Sequence, residues 1–315
     1  MAVLALDLGG TKLAAALYSE AGLLLKGDVT ALAGKRGEEV GALIANVAAR
    51  YCRDSDVAVE AVGLSVPGIA RSRTGTVWAP NIPGWDDYPV IAEISALVPG
   101  IPVVMDSDRA CCMLGEVWQG KARNCRDAIY LAVGTGIGAG ILSDGRILRG
   151  AQDIAGSVGW MALRKPFEEK YIPVGCFEYY ASGDGIARLT RDLLEQDPSY
   201  GGALRDVSAE ALTAHEVFEA YEQGDALASK VFSECIQYWG MAVANLVSIL
   251  NPEKIIFGGG VFGPALRFLE QINTEARKWG QPISMSRVVF EASDLHGNAA
   301  IYGAGFLALQ TLTAR

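Results

Sequence analysis

Apolar runs alternate with short polar or glycine-rich segments along the first third of the chain. The runs at 3–8 ("VLALDL"), 13–19 ("LAAALYS") and 23–32 ("LLLKGDVTAL") predict three consecutive strands joined by tight turns. Apolar residues then recur near the helical period from about Glu38 to Arg50, which predicts a helix. Strands that alternate with helices are typical of an α/β fold. Further buried strands are predicted at 58–68 and 101–106, with a Pro/Gly/Asn-rich excursion and a short helix near 90–97 between them.

The same pattern begins again near Asp127. The segment "AIYLAVGTGIGAGILSDGRIL" predicts a strand, a glycine turn and two more strands. A shift of 124 positions (135 minus 11) places "GGTKLAAALYS" on "GTGIGAGILSD", so that Gly10 meets Gly134 and Thr11 meets Thr135. The repeat predicts two related lobes. The remaining predicted elements are helices at about 225–250, 264–278 and from 298 onward, and strands at 254–260 and 286–292, whereas 189–214 is polar and helix-prone without clear chemistry.

Each repeat carries a glycine turn directly after a buried strand. Glycine lets backbone N–H groups approach phosphate oxygens closely, and Thr11, Thr135 and Lys12 would add hydroxyl donors and a positive charge. Asp7, at the end of the first strand, is suited to hold a hydrated Mg²⁺ beside the phosphates. Two ordinary hairpins with solvent-facing tips are the alternative. The occurrence of the same glycine turn in both repeats favours a single ligand that binds between two lobes.

Composition narrows the class of protein. The 315 residues carry a net charge of −9, without the basic footprint expected of a nucleic-acid binder. No apolar run approaches the roughly 18 residues of a membrane span, and the first strand begins without a basic segment or a cleavage site. We therefore expect a soluble, cytoplasmic protein that binds no nucleic acid. The six cysteines form no CxxC pair and are expected to be free, largely buried thiols.

These motifs resemble those of the ROK family (repressor, open reading frame, kinase) within the actin/hexokinase superfamily. "DLGGTK" (7–12) resembles the first phosphate motif, "VGTGIGAGIL" (133–142) the second, and "LNPEKIIFGGGV" (250–261) the adenosine motif. "GLSVPG" (63–68) and "PNIPGW" (80–85) match stretches that line the sugar cleft. The resemblance spans nearly the whole chain. The repressor branch carries a helix-turn-helix domain ahead of this fold, and Asp7 leaves no room for one, so we expect a kinase.

The resemblance implies a duplicated, two-lobed actin/hexokinase-like fold with mixed sheets flanked by helices. We expect a small N-terminal lobe at 1–107, a large lobe at 108–297, and a C-terminal helix at about 298–315 that packs back on the small lobe. It also implies ATP, Mg²⁺ and a small-molecule sugar as ligands, and a homodimer. The residues implied to bind ATP and its phosphates are Asp7 (through Mg²⁺ and water), Gly9, Gly10, Thr11, Lys12, Thr135, Gly136, Gly138, Gly258, Gly259 and Gly260.

Phosphoryl transfer to a sugar hydroxyl needs a carboxylate that accepts the hydroxyl proton. Counting back from Leu114-Gly115-Glu116, the resemblance places this general base at Asp108. Arg109 stands where the family commonly has a small residue. The alternative is that Asp106 or Asp108 only caps the following helix, because Asp and Ser are preferred caps. Both interpretations can hold if Ser107 or Asp106 is the cap while Asp108 faces the cleft. The residues implied to bind the sugar are Gly68, Asn81, Ser107, Asp108, Ser157 and Glu178.

The sugar side departs from the family pattern in several places. Ser107 and Ser157 replace a sugar-binding Asn and Glu, and Trp160 replaces a zinc-binding His. Of the family's zinc cysteines only Cys176 remains, with Glu169 and Tyr171 at two other positions, so we expect no structural zinc. Trp160 could stack on the sugar, but we expect it to fill the vacated space as core. Aromatic and apolar side chains would then order this loop: Trp160, Met161, Phe167, Tyr171, Ile172, Phe177 and Tyr179.

Two functions follow from this pattern. The first is an ATP-dependent sugar kinase that phosphorylates a hexose or an amino or N-acyl hexose, with Asp108 as its base. The alternative is a non-catalytic sugar-sensing or scaffold protein of the same fold. Retention of Asp7, Asp108 and both glycine turns favours the enzyme, whereas loss of the Glu and Asn contacts favours the sensor.

Overall fold

Two five-stranded mixed sheets form the framework of the protein in a computed structural model that describes residues 1–313. The strand order is β3-β2-β1-β4-β7 in the first sheet and β10-β9-β8-β11-β12 in the second, and β5 and β6 form a separate ribbon. The strands are Ala2–Leu8 (β1), Lys12–Ser19 (β2), Leu24–Ala31 (β3), Val59–Val66 (β4), Ile69–Arg71 (β5), Thr76–Trp78 (β6), Val103–Ser107 (β7), Ala128–Val133 (β8), Ile137–Ser143 (β9), Arg146–Ile147 (β10), Lys254–Gly258 (β11) and Val289–Ala292 (β12).

Helices cover both sheets. They are Glu38–Asp54 (α1), Val90–Leu97 (α2), Asp108–Gln119 (α3), Cys176–Ala181 (α4), Gly183–Gln196 (α5), Ala214–Glu222 (α6), Ala226–Leu250 (α7), Leu269–Trp279 (α8), Pro282–Arg287 (α9) and Ala299–Thr313 (α10). Among the described residues, no helix is both long and apolar enough to cross a membrane.

The duplication predicted from the sequence is confirmed by the strand pairing. β1 pairs antiparallel with β2 and parallel with β4. In the same way, β8 pairs antiparallel with β9 and parallel with β11. The last pair of the first hairpin is Leu8 with Leu13, and that of the second is Val133 with Ile137. Both glycine turns therefore lie at the same end of equivalent strands.

Two cores sandwich the first sheet. One face packs on α1 and α2 through residues such as Leu4, Ile44 and Ile94. The other face packs on α10, the helix in which the described chain ends. The contact is so close that a Cβ added to Gly63 would lie 1.9 Å from the carbonyl oxygen of Ala304. Glycine is therefore required where α10 crosses β4.

Helices α5, α6 and α7 cover the second sheet and bury its largest core. Helix α3 links the two halves of the molecule because it contacts α10 on one side and β8 and β9 on the other. The residue before α3 ends a strand of the first sheet, so the start of this helix lies where the two sheets meet.

Two predicted elements near the C-terminus differ from the structure. The strand predicted at 286–292 begins only at Val289, because Ser286 and Arg287 end the short helix α9, whose first residue is Pro282. The helix predicted at 264–278 starts as a 3₁₀ turn, Pro264–Phe268, before α8. Of the helix predicted at about 298–315, residues 314 and 315 lie outside the described residues.

Candidate active site

The first glycine turn links β1 to β2. The backbone N–H of Gly9 donates to the carbonyl oxygen of Lys12 at 2.9 Å, which closes the turn. No atom lies within 4 Å of the point where a Cβ of Gly10 would be, and Thr11 and Lys12 are exposed. The turn therefore presents open backbone and one positive side chain to the space in front of it.

The second glycine turn links β8 to β9 and is braced by a helix. The N–H of Gly134 donates to the carbonyl oxygen of Gly136 at 3.0 Å, and Thr135 is exposed. The N–H of Gly183, the first residue of α5, donates to the carbonyl oxygen of Gly134 at 2.7 Å. The positive end of the α5 dipole thus lies beside this turn, which favours an anion there.

Asp108 is the first residue of α3. Ser107 caps this helix by accepting a hydrogen bond from the N–H of Ala110 at 3.3 Å, which leaves the Asp108 carboxylate free of that role. Burial raises the pKa of Asp108, and the Arg109 guanidinium opposes the rise. Burial also raises the pKa of Asp7, and the charge of Asp108 adds to the effect. Asp7 pairs with Ser65 on β4 and Ser65 pairs with Asp106 on β7, so Asp7 and Asp108 lie at the same end of the first sheet.

A cavity of about 920 Å³ begins at the second turn. Its walls include Gly134, Thr135, Gly260 and the first residues of α5. Gly259, beside Gly260, has a φ of +89° and lies on the backbone of Val133, so the third glycine motif packs directly on the end of β8. A volume of this size accommodates a nucleotide. The sequence analysis missed most of the other wall, which is built by Arg188, Arg191, Glu210, Leu212, Thr213, His215 and Phe218.

The polar segment from Leu189 to Ala214, for which the sequence suggested no chemistry, supplies part of that wall. Thr213 caps α6 with a capping box formed with Glu216, and Ser182 caps α5. The two caps are the sequence feature that could have predicted this wall. They fix where α5 and α6 begin and therefore which side chains border the cavity.

An ion pair next to the start of α3 occupies the predicted sugar side. Arg149 Nε donates to Asp106 Oδ2 at 2.8 Å, and Asp106 Oδ1 accepts from the N–H of Ser107 at 2.8 Å. Burial raises the pKa of Asp106 although Arg149 opposes the rise. The free space beside Asp106, Ser107 and Arg149 is about 10 Å³. The sequence analysis did not predict this ion pair, because the partner of Asp106 lies far along the chain.

The other predicted sugar residues are dispersed around this region. Gly68 has a φ of +82° and packs under the carbonyl oxygen of Trp78, whereas Asn81 is exposed on a loop. The Ser157 hydroxyl donates to the carbonyl oxygen of Ile154 at 2.9 Å. Glu178 accepts from the N–H of Ile137 at 2.7 Å and lies beside Gly136. Glu178 is therefore held against the second turn, and no hydrogen bond joins Asn81 to it among the described residues.

The prediction that Trp160 is a core residue was wrong. Its side chain is 57% exposed, and so are those of Phe167 and Ile172, at 71% and 62%. Trp160 ends a 3₁₀ turn whose other residues, Val158 and Gly159, are buried, so the turn directs the indole outward. Only part of the predicted aromatic group, notably Tyr171 and Phe177, is buried.

The residues at the expected zinc positions do not fit zinc. Tyr171 donates to Glu168 at 2.7 Å and lies 2.8 Å from the Tyr180 hydroxyl, while Cys176 is a buried free thiol. Lys170 Nζ lies 5.0–5.8 Å from the ring centroids of Tyr171, Tyr179 and Tyr180. Within residues 1–313, no group of three metal-ligating side chains was found. Rings and a lysine occupy this loop, and the absence of zinc stays a prediction.

Asp7, unlike the loop at the expected zinc positions, is suited to a metal ion, namely Mg²⁺. Asp7 is half-buried, and its pKa is raised by desolvation and by the charge of Asp108, so a cation there would offset both effects. Oxygen ligands and retained waters are what Mg²⁺ prefers. When bound, the ion would neutralise charge on the phosphates.

Comparisons with known proteins identify the family and support the fold. The model of the ROK family matches residues 3–311. The chain is 33% identical to a glucokinase of Halalkalibacterium halodurans over 79% of this chain and 76% of the relative. A ROK hexokinase structure from Thermus thermophilus superposes with a TM-score of 0.82 at 29% identity, with 100% of each chain covered.

A second solved structure carries ligands. It is a ROK family glucokinase of Streptomyces griseus in complex with glucose and AMPPNP. It superposes with a TM-score of 0.77 at 29% identity over 98% of this chain and 100% of that chain. The family match, the relatives and the duplicated hairpins lead to one conclusion: the chain belongs to the ROK family.

Proposed function

We propose that this protein transfers the γ-phosphoryl group of ATP to a hydroxyl of a hexose or of an amino or N-acyl hexose, with Asp108 as the general base. The broader class, an ATP-dependent sugar kinase, rests on the family and on relatives named as glucokinase and hexokinase. The finer proposal rests on one observation. A half-buried carboxylate, Asp108, begins the helix that joins the two halves, at the end of the first sheet that carries Asp7, and its neighbour Arg109 packs on Gly138 of the second hairpin.

In this proposal the two turns hold the phosphates. Gly9, Gly10, Thr11 and Lys12 bind from one side and Thr135, Gly136 and Gly138 from the other, while Gly258, Gly259 and Gly260 lie by the adenosine. Asp7 holds Mg²⁺ through water. Such a site performs little covalent chemistry, and its catalysis is alignment together with charge stabilisation. Asp108 accepts the hydroxyl proton as the oxygen attacks phosphorus.

Gly68, Asn81, Ser107, Ser157 and Glu178 are proposed to line the sugar site around Asp108. The space beside Ser107 is small, and the Ser72 hydroxyl of the first half lies 3.4 Å from Asp153 Oδ1 of the second. We propose that the lobes at 1–107 and 108–297 open to admit the sugar and close over it, which excludes water. A homodimer and a cytoplasmic location are further proposals, which rest on the family resemblance and on ATP as the phosphoryl donor.

The second candidate is a non-catalytic sugar sensor or scaffold. Ser107 and Ser157 where the family has Asn and Glu favour it, since each replacement shortens a polar side chain at the sugar. Asp7, Asp108 and both turns favour the enzyme, because a sensor has no use for a base next to a phosphate site.

The experiment that separates the two candidates is ATP consumption against a panel of hexoses, keto sugars, amino sugars and N-acyl sugars, with Mg²⁺ present. We expect sugar-dependent release of ADP together with one phosphorylated sugar detected by mass spectrometry. Calorimetric binding of a sugar by a protein that consumes no ATP with any of them would establish the sensor and reject the kinase.

A further inference from the structure

Arg109 directly follows the proposed base, and its side chain lies on the second hairpin. Its backbone carbonyl oxygen is 2.1 Å from the point where a Cβ of Gly140 would lie, and its Cδ is 2.4 Å from the corresponding point of Gly138. These two glycines are two residues apart and thus on one face of β9. The side chain therefore runs along β9 from Gly140 toward Gly138, in the direction of the turn at 134–136.

Two glycines are needed to make room for this path. Any side chain at Gly138 would displace the Arg109 stem, and any at Gly140 would collide with the backbone of α3. The Gly140 contact fixes the backbone of Arg109, and the Gly138 contact fixes its stem. The guanidinium beyond the stem therefore lies near the start of β9.

The guanidinium lacks a partner in the described part of the chain. Arg109 is half-buried as a whole, but its Nε is buried and donates to no acceptor among residues 1–313. A buried donor that makes no hydrogen bond costs free energy. The neighbouring Asp108 carboxylate is close enough for Arg109 to lower its pKa against the effect of burial. An unpaired guanidinium between a base and a phosphate turn is suited to an anion that arrives with the substrate.

We infer that Arg109 binds the phosphoryl group while it passes from ATP to the sugar, an inference that rests on the function proposed above. In that step the sugar oxygen forms a bond to phosphorus, the bond to the ADP oxygen breaks, and the hydroxyl proton goes to Asp108. Negative charge spreads over the three equatorial oxygens. A planar guanidinium donates to two of them at once.

The second hairpin has no charged residue of its own between Val133 and Gly138. Arg109 therefore supplies to this hairpin the positive charge that Lys12 supplies to the first.

The test compares Arg109→Met, Arg109→Ala and Arg109→Lys with the exposed Arg126→Ala as a matched control, using the sugar that the wild type phosphorylates fastest. Arg109→Met keeps the stem in its groove and removes only the charge. We expect kcat to fall roughly 10²-fold in Arg109→Met and Arg109→Ala, the usual effect of losing one donor to a transition state. We expect Arg109→Lys to fall between these and the wild type.

Two further measurements separate a catalytic from a structural role. ADP with aluminium fluoride mimics the phosphoryl group in transfer, and its inhibition constant should rise in Arg109→Met by about the factor lost from kcat. The KM for the sugar and inhibition by AMPPNP should change less than about threefold, because neither depends on charge that develops only in the transition state. Added guanidinium should partly restore kcat in Arg109→Ala.

The outcomes are distinct. A wild type that phosphorylates no sugar rejects the proposed function, and this inference with it. An active wild type whose Arg109→Met variant keeps kcat within about threefold rejects only the role of Arg109. A variant that loses kcat but keeps wild-type inhibition by ADP and aluminium fluoride also rejects it, since the arginine would then act through folding or through the sugar.

Discussion

The two glycine hairpins share one strand pairing but differ in charge. In the first hairpin, Asp7 directly precedes Leu8 and Lys12 directly precedes Leu13, the two residues of its last pair, so this hairpin carries one charge of each sign. The equivalent positions of the second hairpin, before Val133 and before Ile137, are Ala132 and Gly136. The backbone geometry is duplicated, whereas the charged chemistry is not.

Under the proposed function, the difference in charge gives the two hairpins different roles in binding the nucleotide and its metal. A pair of aspartates at both strand ends would place like charges close together with Asp108 already present, and like charges disfavour one another's ionised form. Under the proposed function, Asp7 alone would hold the hydrated cation. The second hairpin would bind phosphate through its backbone, through the N-terminus of α5 and, by our inference, through Arg109. It also holds Glu178, a proposed sugar-binding residue.

The largest expected effect concerns the residue between the hairpins. Asp108→Asn should lower kcat roughly 10²–10⁴-fold, the contribution of a positioned proton acceptor, with nucleotide affinity unchanged because both hairpins remain. Steady-state kinetics and AMPPNP titration measure the two quantities. Asp144→Asn, in an exposed turn after β9, is the control. A variant that retains most of its kcat would move the role elsewhere, to Asp106 first.

Asp7→Asn should affect the charged hairpin alone. We expect the Mg²⁺ concentration for half-maximal rate to rise by roughly tenfold or more, because an amide is a weaker ligand for a hydrated Mg²⁺ than a carboxylate. Sugar affinity should stay the same. An unchanged Mg²⁺ dependence would show that Asp7 does not bind the metal. The two hairpins would then not differ in metal binding.

Lys12→Met and Thr135→Val compare the hairpins directly. Loss of a charge-assisted contact costs about 1.5–3 kcal/mol and loss of a neutral one about 0.5–1.5 kcal/mol. The KM for ATP should therefore rise roughly 10- to 100-fold in Lys12→Met and about 2- to 10-fold in Thr135→Val. Equal increases in the KM for ATP in the two variants would show that the charge difference between the hairpins does not affect ATP binding.

Ser157→Glu tests the sugar side, which is attached to the second hairpin through the hydrogen bond from the N–H of Ala139 to the carbonyl oxygen of Gly156 at 2.8 Å. The wild type should prefer an amino, N-acyl or keto sugar to glucose. The longer carboxylate should shift the ratio of kcat/KM toward glucose by roughly tenfold. Ser157→Ala, which removes only a hydroxyl, should leave the ratio nearly unchanged. A wild type most efficient with glucose would contradict this prediction.

The last prediction is that the protein contains no zinc and that a chelator has no effect on its stability. Elemental analysis should find no stoichiometric zinc, and the melting temperature should not change in chelator once Mg²⁺ is restored. Lys170→Met should instead destabilise the loop by about 1 kcal/mol through the lost contacts with the aromatic rings, with the exposed Lys165→Met as its control. About one zinc per chain would contradict this account of the loop.

Features set by local sequence could be predicted. The hairpins follow from apolar runs that end in glycine, and the position of Asp108 follows from a strand, a cap and a helix in direct succession. Features that depend on distant partners could not. The ion pair of Arg149 with Asp106 spans 43 positions, and the outward direction of Trp160 depends on which face of its 3₁₀ turn is buried. The α9 helix escaped notice because six residues are too few to show a period.

Close packing of α10 has a consequence for how the chain acquires its structure during synthesis. The first sheet leaves the ribosome early, yet one of its faces stays uncovered until the residues of α10 emerge, after the whole of the second sheet. Helix α3 also cannot complete its packing before α10 is made. The two helices are in direct contact, since a Cβ at Gly303 would lie 1.7 Å from the carbonyl oxygen of Cys111. A nascent chain that has completed only its first half therefore exposes an apolar sheet face, the kind of surface on which chaperones and misassembly act. The order of synthesis thus makes the proposed base one of the last parts of the molecule to be locked in place.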